Sequence, residues 1–471
     1  MTHEVTVKSN KPLTVFKLVM MAVIAIDSIK NLPANAQYGS SLLFYYLIAT
    51  VTFFIPSALV AAELATAWPE TGGIYVWVRE AFGRRSAFLA IWIQWLYQII
   101  WYPTILSFIA VTIAYLISPA LAENKTYILI TLLMVFWSAT FLNCLGLTIS
   151  SKISTASTII GVIIPMVFIM LLGGVWLFTG HASQISFSMH SLSVPTVNSD
   201  TLRLFITLLF SLMGMEMIAV HAGDVRNPAK DYPRALIIAA VLILATVIPA
   251  SLAISAVIPP KEIGLTTGVI EAFTIFLKAF HLAWMEPIMV ISIAIGSFGI
   301  FFVWLLASSR CLLIAAQDNC LPRFLQKTNA REMPVALFLV QGVIFSLLCI
   351  AFVLMPSVNS AFWFLTASSS QLALIYYLFL FASALRLRYK KPDVVRPFKA
   401  GNHPFFLWFI CLLAIVTCLI SIGFGFLPPP EITQNNIFYY EVFLAALIVV
   451  GLSVAVVIYE VCQVTNTNKA L

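Results

Sequence analysis

The sequence predicts an all-α membrane protein of 12 transmembrane helices, on three observations. First, 61% of the 471 residues are hydrophobic and only 10% are charged, whereas a soluble domain carries about 25% charged residues. Second, the apolar residues gather into stretches that each reach the roughly 20 residues needed to cross a bilayer core. Third, the basic residues segregate. With the N-terminus taken as cytoplasmic, the outer side holds Lys125, Arg203, Lys261 and Lys278, Lys30 lies within a span, and every other Lys and Arg is cytoplasmic. This is the positive-inside bias, and it implies cytoplasmic termini and an even number of spans. It also accounts for the net charge of +7 without a nucleic-acid partner. The same composition excludes a soluble globule and a disordered chain. The cysteines (Cys144, Cys311, Cys320, Cys349, Cys411, Cys418 and Cys462) form no CxxC pair. They read as small core hydrophobes, not as disulfides or metal ligands.

Taken in order, span 1 covers 14–35 and follows a short cytoplasmic tail, 1–13. Lys8, Lys11 and Lys17 ahead of Ala34-Asn35-Ala36 imitate a cleavable secretory signal, but Asp27 and Lys30 interrupt the apolar core. Span 2, 41–65, carries Glu63 near its end. Span 3, 87–118, is polar and aromatic around Gln94, Gln98, Trp101 and Tyr102. Spans 4 and 5, 126–145 and 153–178, flank Lys152 and end a first segment, 14–200. Span 6, 202–223, and span 7, 234–258, open a second segment, 201–400. The stretch 265–282 is short and holds Glu271 and Lys278, so it reads as an outer interfacial helix. Span 8 is 285–316, span 9 is 334–355, and span 10 is 361–385. Ser368, Ser369, Ser370 and Gln371 at membrane depth would either break span 10 or bond to a neighbouring helix. Spans 11 and 12, 404–427 and 438–461, form a last unit, 401–463, ahead of a tail, 464–471.

Ionisable groups inside a span are expensive and mark function by default. Asp27 and Lys30 are three apart and would share a helix face, either as a mutual ion pair or as the lining of a polar cavity. Pro33 and the Asp27-Ser28 pair weaken the helix there, so span 1 is expected to break. Glu63 reads either as a structural ion pair or as an inner-gate residue. Glu216 follows the potential hinge Gly214 and reads either as a buttress or as a proton or substrate group. Spans 1 and 6 are thus both interrupted, five spans apart, which points to an inverted-repeat transporter. Freed backbone N–H groups would take a carboxylate and freed carbonyls an ammonium, chemistry that suits an amino acid. The expected site comprises Ile26, Asp27, Ser28, Ile29, Lys30, Ser211, Met213, Gly214 and Glu216, with Asp27, Lys30, Glu63 and Glu216 as proton or gating groups. No catalytic or nucleotide motif appears, so neither an enzyme nor a cofactor is expected.

Several segments resemble the amino acid–polyamine–organocation transporter superfamily. They are Glu63-Leu64-Ala65 with Pro69, Gly72-Gly73 and Tyr75-Val76-Trp77; Gly214-Met215-Glu216 with Asp224 to Pro228 and Asp231-Tyr232-Pro233; and Ser309-Arg310, Ala315-Ala316-Gln317-Asp318 and Pro334-Val335. Within it the chain is most similar to bacterial glutamate/GABA antiporters, through Phe54-Ile55-Pro56, Phe426 to Pro429 and Tyr440-Glu441-Val442. The resemblance implies a LeuT-like 5+5 inverted repeat with two extra helices. It also implies a monomer or homodimer in the bacterial inner membrane that exchanges small-molecule substrates, amino acids or their decarboxylated amines. It adds Phe210 as a gate and Trp304 as a site residue, and it matches Glu216 to the family's span 6 glutamate. The chain departs from the pattern in four places, the mildest being Asp224 where a Glu is more usual. Asp27 replaces the small residues usual at the span 1 break. Gly161 falls where cation-coupled relatives carry a lysine, which favours exchange. The tail after span 12 is too short for the plug that some relatives carry. A proton-coupled symporter using Glu216 or Asp27 is the alternative within the class. A non-transporting receptor or scaffold is the alternative outside it. His221 near the inner mouth reads as an ordinary cytoplasmic-end histidine, with a pH sensor as the alternative.

Overall fold

The computed structural model describes residues 14–70, 72–186, 188, 197–218, 225, 227–354, 357–401, 403–428 and 437–467. His221 and Asp224 lie outside these residues, as do the expected end of span 6 and both extreme tails. The described residues are helices joined by turns. Among the described residues ten helical stretches are long and apolar enough to cross a membrane. The two expected spans outside that set are the first, which is interrupted, and the ninth, a helix Val335–Leu354.

Span 1 is α1 (Val15–Ile26) and α2 (Leu32–Ala36), separated by two non-helical residues and a 3₁₀ turn, Ile29–Asn31. Span 2 is α3 (Leu42–Ala49) and α4 (Ile55–Ala67), joined without a gap by a π turn, Thr50–Phe54. Pro56 lies two residues past that turn and has no N–H to give, so the wider turn takes up the lost bond. A short helix α5 (Ile74–Phe82) leads into the long α6 (Arg84–Ile117). Helices α7 (Lys125–Cys144), α8 (Leu147–Thr158) and α9 (Ile164–Phe178) follow, with a second π turn, Ile159–Ile163, again just ahead of a proline, Pro165. The second half comprises α10 (Ser199–Ser211), α11 (Pro228–Val257), α12 (Gly268–Ala279), α13 (Glu286–Gln317), α14 (Val335–Leu354) and α15 (Val358–Lys390). Two last helices are α16 (Pro404–Phe424) and α17 (Ile437–Thr467).

Burial separates centre from rim. The most apolar windows of α6 and α15 are 83% buried, and that of α17 only 11%. Helices α6, α13 and α15 therefore form the core against which the broken helices pack, while α17 presents its side chains outward. One close helix crossing is glycine on glycine. A Cβ on Gly161 would stand 2.0 Å from the Gly296 nitrogen, and one on Gly296 would stand 2.1 Å from the Gly161 carbonyl oxygen. Small residues permit such backbone approach between membrane helices.

One expectation changes here and one holds. Helix α15 runs unbroken through Ser368–Ser370, and their hydroxyls bond neither a neighbour nor a gap. They donate to the carbonyls of Phe364, Leu365 and Thr366 on their own helix, at 2.8, 2.7 and 2.6 Å. A serine one turn past a carbonyl satisfies itself locally, without any tertiary partner. The stretch 265–282 is indeed a separate short helix, α12. It is tied down by Tyr115, whose hydroxyl donates to Glu271 Oε1 at 3.4 Å, and by Thr274, which donates to Glu286 at 2.7 Å.

Candidate substrate site

Helix α1 stops at Ile26 because Asp27 (ψ 83°) and Ser28 (φ −107°, ψ 117°) leave the helical region. Helix α10 stops at Ser211, and Gly214 takes φ +127° before a 3₁₀ turn over residues 215–218. Only glycine takes that backbone conformation without strain. The two breaks face each other closely. A methyl at Gly214 would stand 3.1 Å from Ile26 Cγ1, 3.3 Å from Trp304 Cζ2 and 3.5 Å from the Ala25 carbonyl oxygen. Ending α1 frees its last carbonyls, and Trp304 Nε1 takes one, donating to Ala25 O at 3.2 Å. On the other break, the Gly214 N–H donates to Tyr377 Oη at 2.9 Å, and that hydroxyl donates in turn to Glu216 Oε2. One tyrosine of α15 thus fixes both the freed N–H and the buried carboxylate of span 6. Glu216 Oε1 has no hydrogen-bond partner among the described residues.

Between the breaks lies a narrow cavity of about 40 Å³, room for a few water molecules. Ile26, Ser28, Phe210, Ser211, Met213 and Trp304 line it, together with Asn31, Gln98 and Trp101. Six expected site residues therefore converge on one space. Asp27, Ile29, Gly214 and Glu216 stand behind that lining: Gly214 and Glu216 shape the break, and Asp27 Oδ2 accepts from Thr246 of α11 at 2.8 Å. Lys30 lines a smaller adjoining recess with Asn31, Thr207, Phe210, Phe362 and Thr366. Asp27 and Lys30 do not form a mutual ion pair. The helix breaks between them, so a spacing of three no longer places them on one face, and the Lys30 Nζ stands over Phe362 at 4.8 Å and Trp101 at 5.6 Å.

Glu63 lies apart from this cavity, near the end rich in basic residues. Arg388 donates to it twice, Nε to Oε1 at 3.0 Å and Nη2 to Oε2 at 2.6 Å. Arg396 Nε lies 3.4 Å away, and the Ala400 N–H donates at 2.8 Å. Nearby, Arg79 bridges Asp318 (3.2 Å) and Glu70 (3.3 Å), and Lys391 pairs with Glu80 at 3.2 Å. Tyr75 donates to Asp318 at 2.8 Å. Burial lifts its phenol well above the ordinary range, so it stays a donor at neutral pH.

Tyr377, Thr246 and Phe362 were not anticipated. Each sits in an apolar helix as an unremarkable residue, and only tertiary contact brings it to the breaks. Gln98 and Trp101 carried a signal, since their polarity is unusual at mid-span.

A family model described as amino acid permease matches residues 13–451. The chain is 45% identical over 437 residues to an uncharacterized transporter of Legionella pneumophila, covering 93% of this chain and 94% of that protein. It is 28% identical over 458 residues to a glutamate/gamma-aminobutyrate antiporter of Lactococcus lactis, covering 96% and 91%. To a probable agmatine/putrescine antiporter of the same species it is 22% identical over 418 residues, covering 88% of each. With its apolar helices and paired helix breaks, the chain is a multi-pass membrane transporter and belongs to the amino acid permease family.

Proposed function

We propose that this transporter exchanges one amino acid for another, or for its decarboxylated amine, by alternating access across the bacterial inner membrane. The observation that carries this reading is the meeting of two helix breaks, at Asp27–Ser28 and at Leu212–Gly214, on one narrow cavity. Backbone groups at the breaks are the natural holders of an amino-acid head, because a freed N–H end favours a carboxylate and a freed carbonyl end an ammonium. The cavity is too small for an amino acid as it stands, so loading requires the helices to part. Twelve spans, a 5+5 inverted repeat over 14–200 and 201–400, and cytoplasmic termini belong to the same proposal. Glutamate/gamma-aminobutyrate and agmatine/putrescine antiporters among the relatives support exchange as the mode. The packing at Gly161 supports it too. That position backs onto the Gly296 main chain and leaves no space for the lysine that would replace a coupling cation.

The test is uptake of labelled amino acids into proteoliposomes, loaded or empty, with a panel of amino acids and amines inside. Uptake that needs a loaded counter-substrate is the expected result. Uptake into empty vesicles driven by a proton gradient would replace exchange with symport, and Glu216 and Asp27, each with one oxygen unbonded among the described residues, would then be the proton carriers to mutate.

A further inference from the structure

We infer that Lys30 determines specificity by receiving a side-chain carboxylate of the substrate, so that the transporter carries amino acids with an anionic side chain. This deepens the exchange proposal and names its substrate class. The charged residues buried among the described ones are Asp27, Lys30, Glu63, Glu216 and Arg396. Four of them have polar partners. Asp27 accepts from Thr246, Glu216 accepts from Tyr377, Glu63 pairs with Arg388 and Arg396, and Arg396 also donates to the carbonyls of Leu387, Lys391 and Val394. Lys30 is 2% exposed and has neither an ion pair nor a hydrogen bond to any described residue. Its ammonium rests on the faces of Phe362 and Trp101. Aromatic faces hold a cation in position without neutralising it, so the charge stays available to an anion.

Its placement says which anion. The recess that Lys30 lines shares Phe210 and Asn31 with the central cavity, and Trp101, one of its two aromatic supports, also lines that cavity. Among the described residues no other charged side chain lines either space. An amino-acid head is electrically matched by the two helix breaks, which leaves the lysine for a second carboxylate carried further along the substrate. The break also removes the residue that would cancel it. On an unbroken helix Asp27 would share the Lys30 face, but here Asp27 is turned to Thr246 on α11.

The experiment compares L-glutamate with L-glutamine, and L-aspartate with L-asparagine, near-isosteric pairs that differ in one charge. The full chain, Lys30→Gln and Lys30→Arg are each assayed by counterflow in proteoliposomes and by quenching of tryptophan fluorescence in detergent, since Trp101 and Trp304 line the cavity. The acid of each pair is expected to half-saturate at concentrations at least tenfold below its amide, because an unpaired buried charge penalises the neutral analogue. Lys30→Gln is expected to erase that preference by weakening the acid while moving the amide by no more than about twofold, and Lys30→Arg to keep most of it. Equal binding of acid and amide by the unaltered chain would overturn the inference, as would an equal loss for both in Lys30→Gln. Should Lys30→Gln fail to fold, the preference of the unaltered chain and its retention in Lys30→Arg still decide. Acid-selective quenching without counterflow would remove the exchange reading and leave the role of Lys30 standing. Counterflow restricted to neutral or cationic substrates would do the reverse.

Discussion

Tyr377 serves span 6 through one oxygen, accepting from Gly214 N–H and donating to Glu216. Tyr377→Phe removes both bonds at once and leaves a buried N–H and a buried carboxylate short of a partner. Each such loss costs about 1–3 kcal/mol. The expected outcome is a folded transporter with a lowered melting temperature and an exchange rate reduced roughly tenfold, by the 1.4 kcal/mol-per-decade rule, read by thermal unfolding and counterflow. At this scale the sequence is a mixed guide. Asp27, Lys30, Glu63 and Glu216 announce themselves, because a charge within an apolar run has no cheap explanation. Their partners do not. Thr246, Phe362 and Tyr377 are ordinary in their own helices, and the pairing of Asp27 with Thr246 in place of Lys30 follows from a change of backbone direction at Ser28.

Element by element, the interruptions of spans 1 and 6 were legible, because Asp27-Ser28, Pro33 and Gly214 each disfavour a continuous helix. The cluster Ser368–Ser370 suggested a third interruption that does not occur, since a serine hydroxyl can bond its own helix as well as it can unsettle it. The two π turns passed unnoticed, although each is followed by a proline, Pro56 and Pro165. The crossing of Gly161 on Gly296 was also hidden. In the sequence it is two glycines far apart, and in the fold their backbones stand against each other. Gly161→Ala forces the helices apart, and overpacking of this kind costs about 1–3 kcal/mol or more. We expect a clear loss of monodisperse protein and a lower melting temperature. Gly296→Ala should do the same, and the double change should be less than additive because both relieve one contact. Gly214→Ala acts differently: its backbone at φ +127° is strained for alanine, and its methyl would press on Ile26 and Trp304. Exchange is expected to fall more steeply than stability.

Across the whole molecule the ion pairs are lopsided. Glu63 with Arg388 and Arg396, Arg79 with Glu70 and Asp318, Glu80 with Lys391, and Arg85 with Glu460 all gather at the end rich in basic residues. Among the described pairs, the far end carries Arg203 with Asp200. The described ion pairs are thus concentrated at one end. Surface pairs such as Arg85 with Glu460 contribute little, but Glu63 and Arg396 are buried, and removing one partner of a buried pair costs about 3–5 kcal/mol. Glu63→Gln should accordingly loosen that end. With a single reporter thiol at Gln98→Cys in a background lacking the native cysteines, a membrane-impermeant reagent applied from the basic side should label several times faster in Glu63→Gln. An unchanged rate would show that Glu63 only stabilises the fold.

The burial of span 1 also has a consequence for how the chain is made. The hydroxyl that accommodates Asp27 belongs to Thr246, 219 residues downstream, and the ring nearest to Lys30 belongs to Phe362, further along still. At about 5–20 residues per second of synthesis, roughly ten to forty seconds separate the first helix from its first partner. During that interval the nascent segment holds two charges with nothing to cover them, in a helix too interrupted to enter lipid on its own hydropathy. The packed form of span 1 therefore waits on α11 and α15, which supply its partners. Chains released before residue 362 would expose that segment to quality-control proteases.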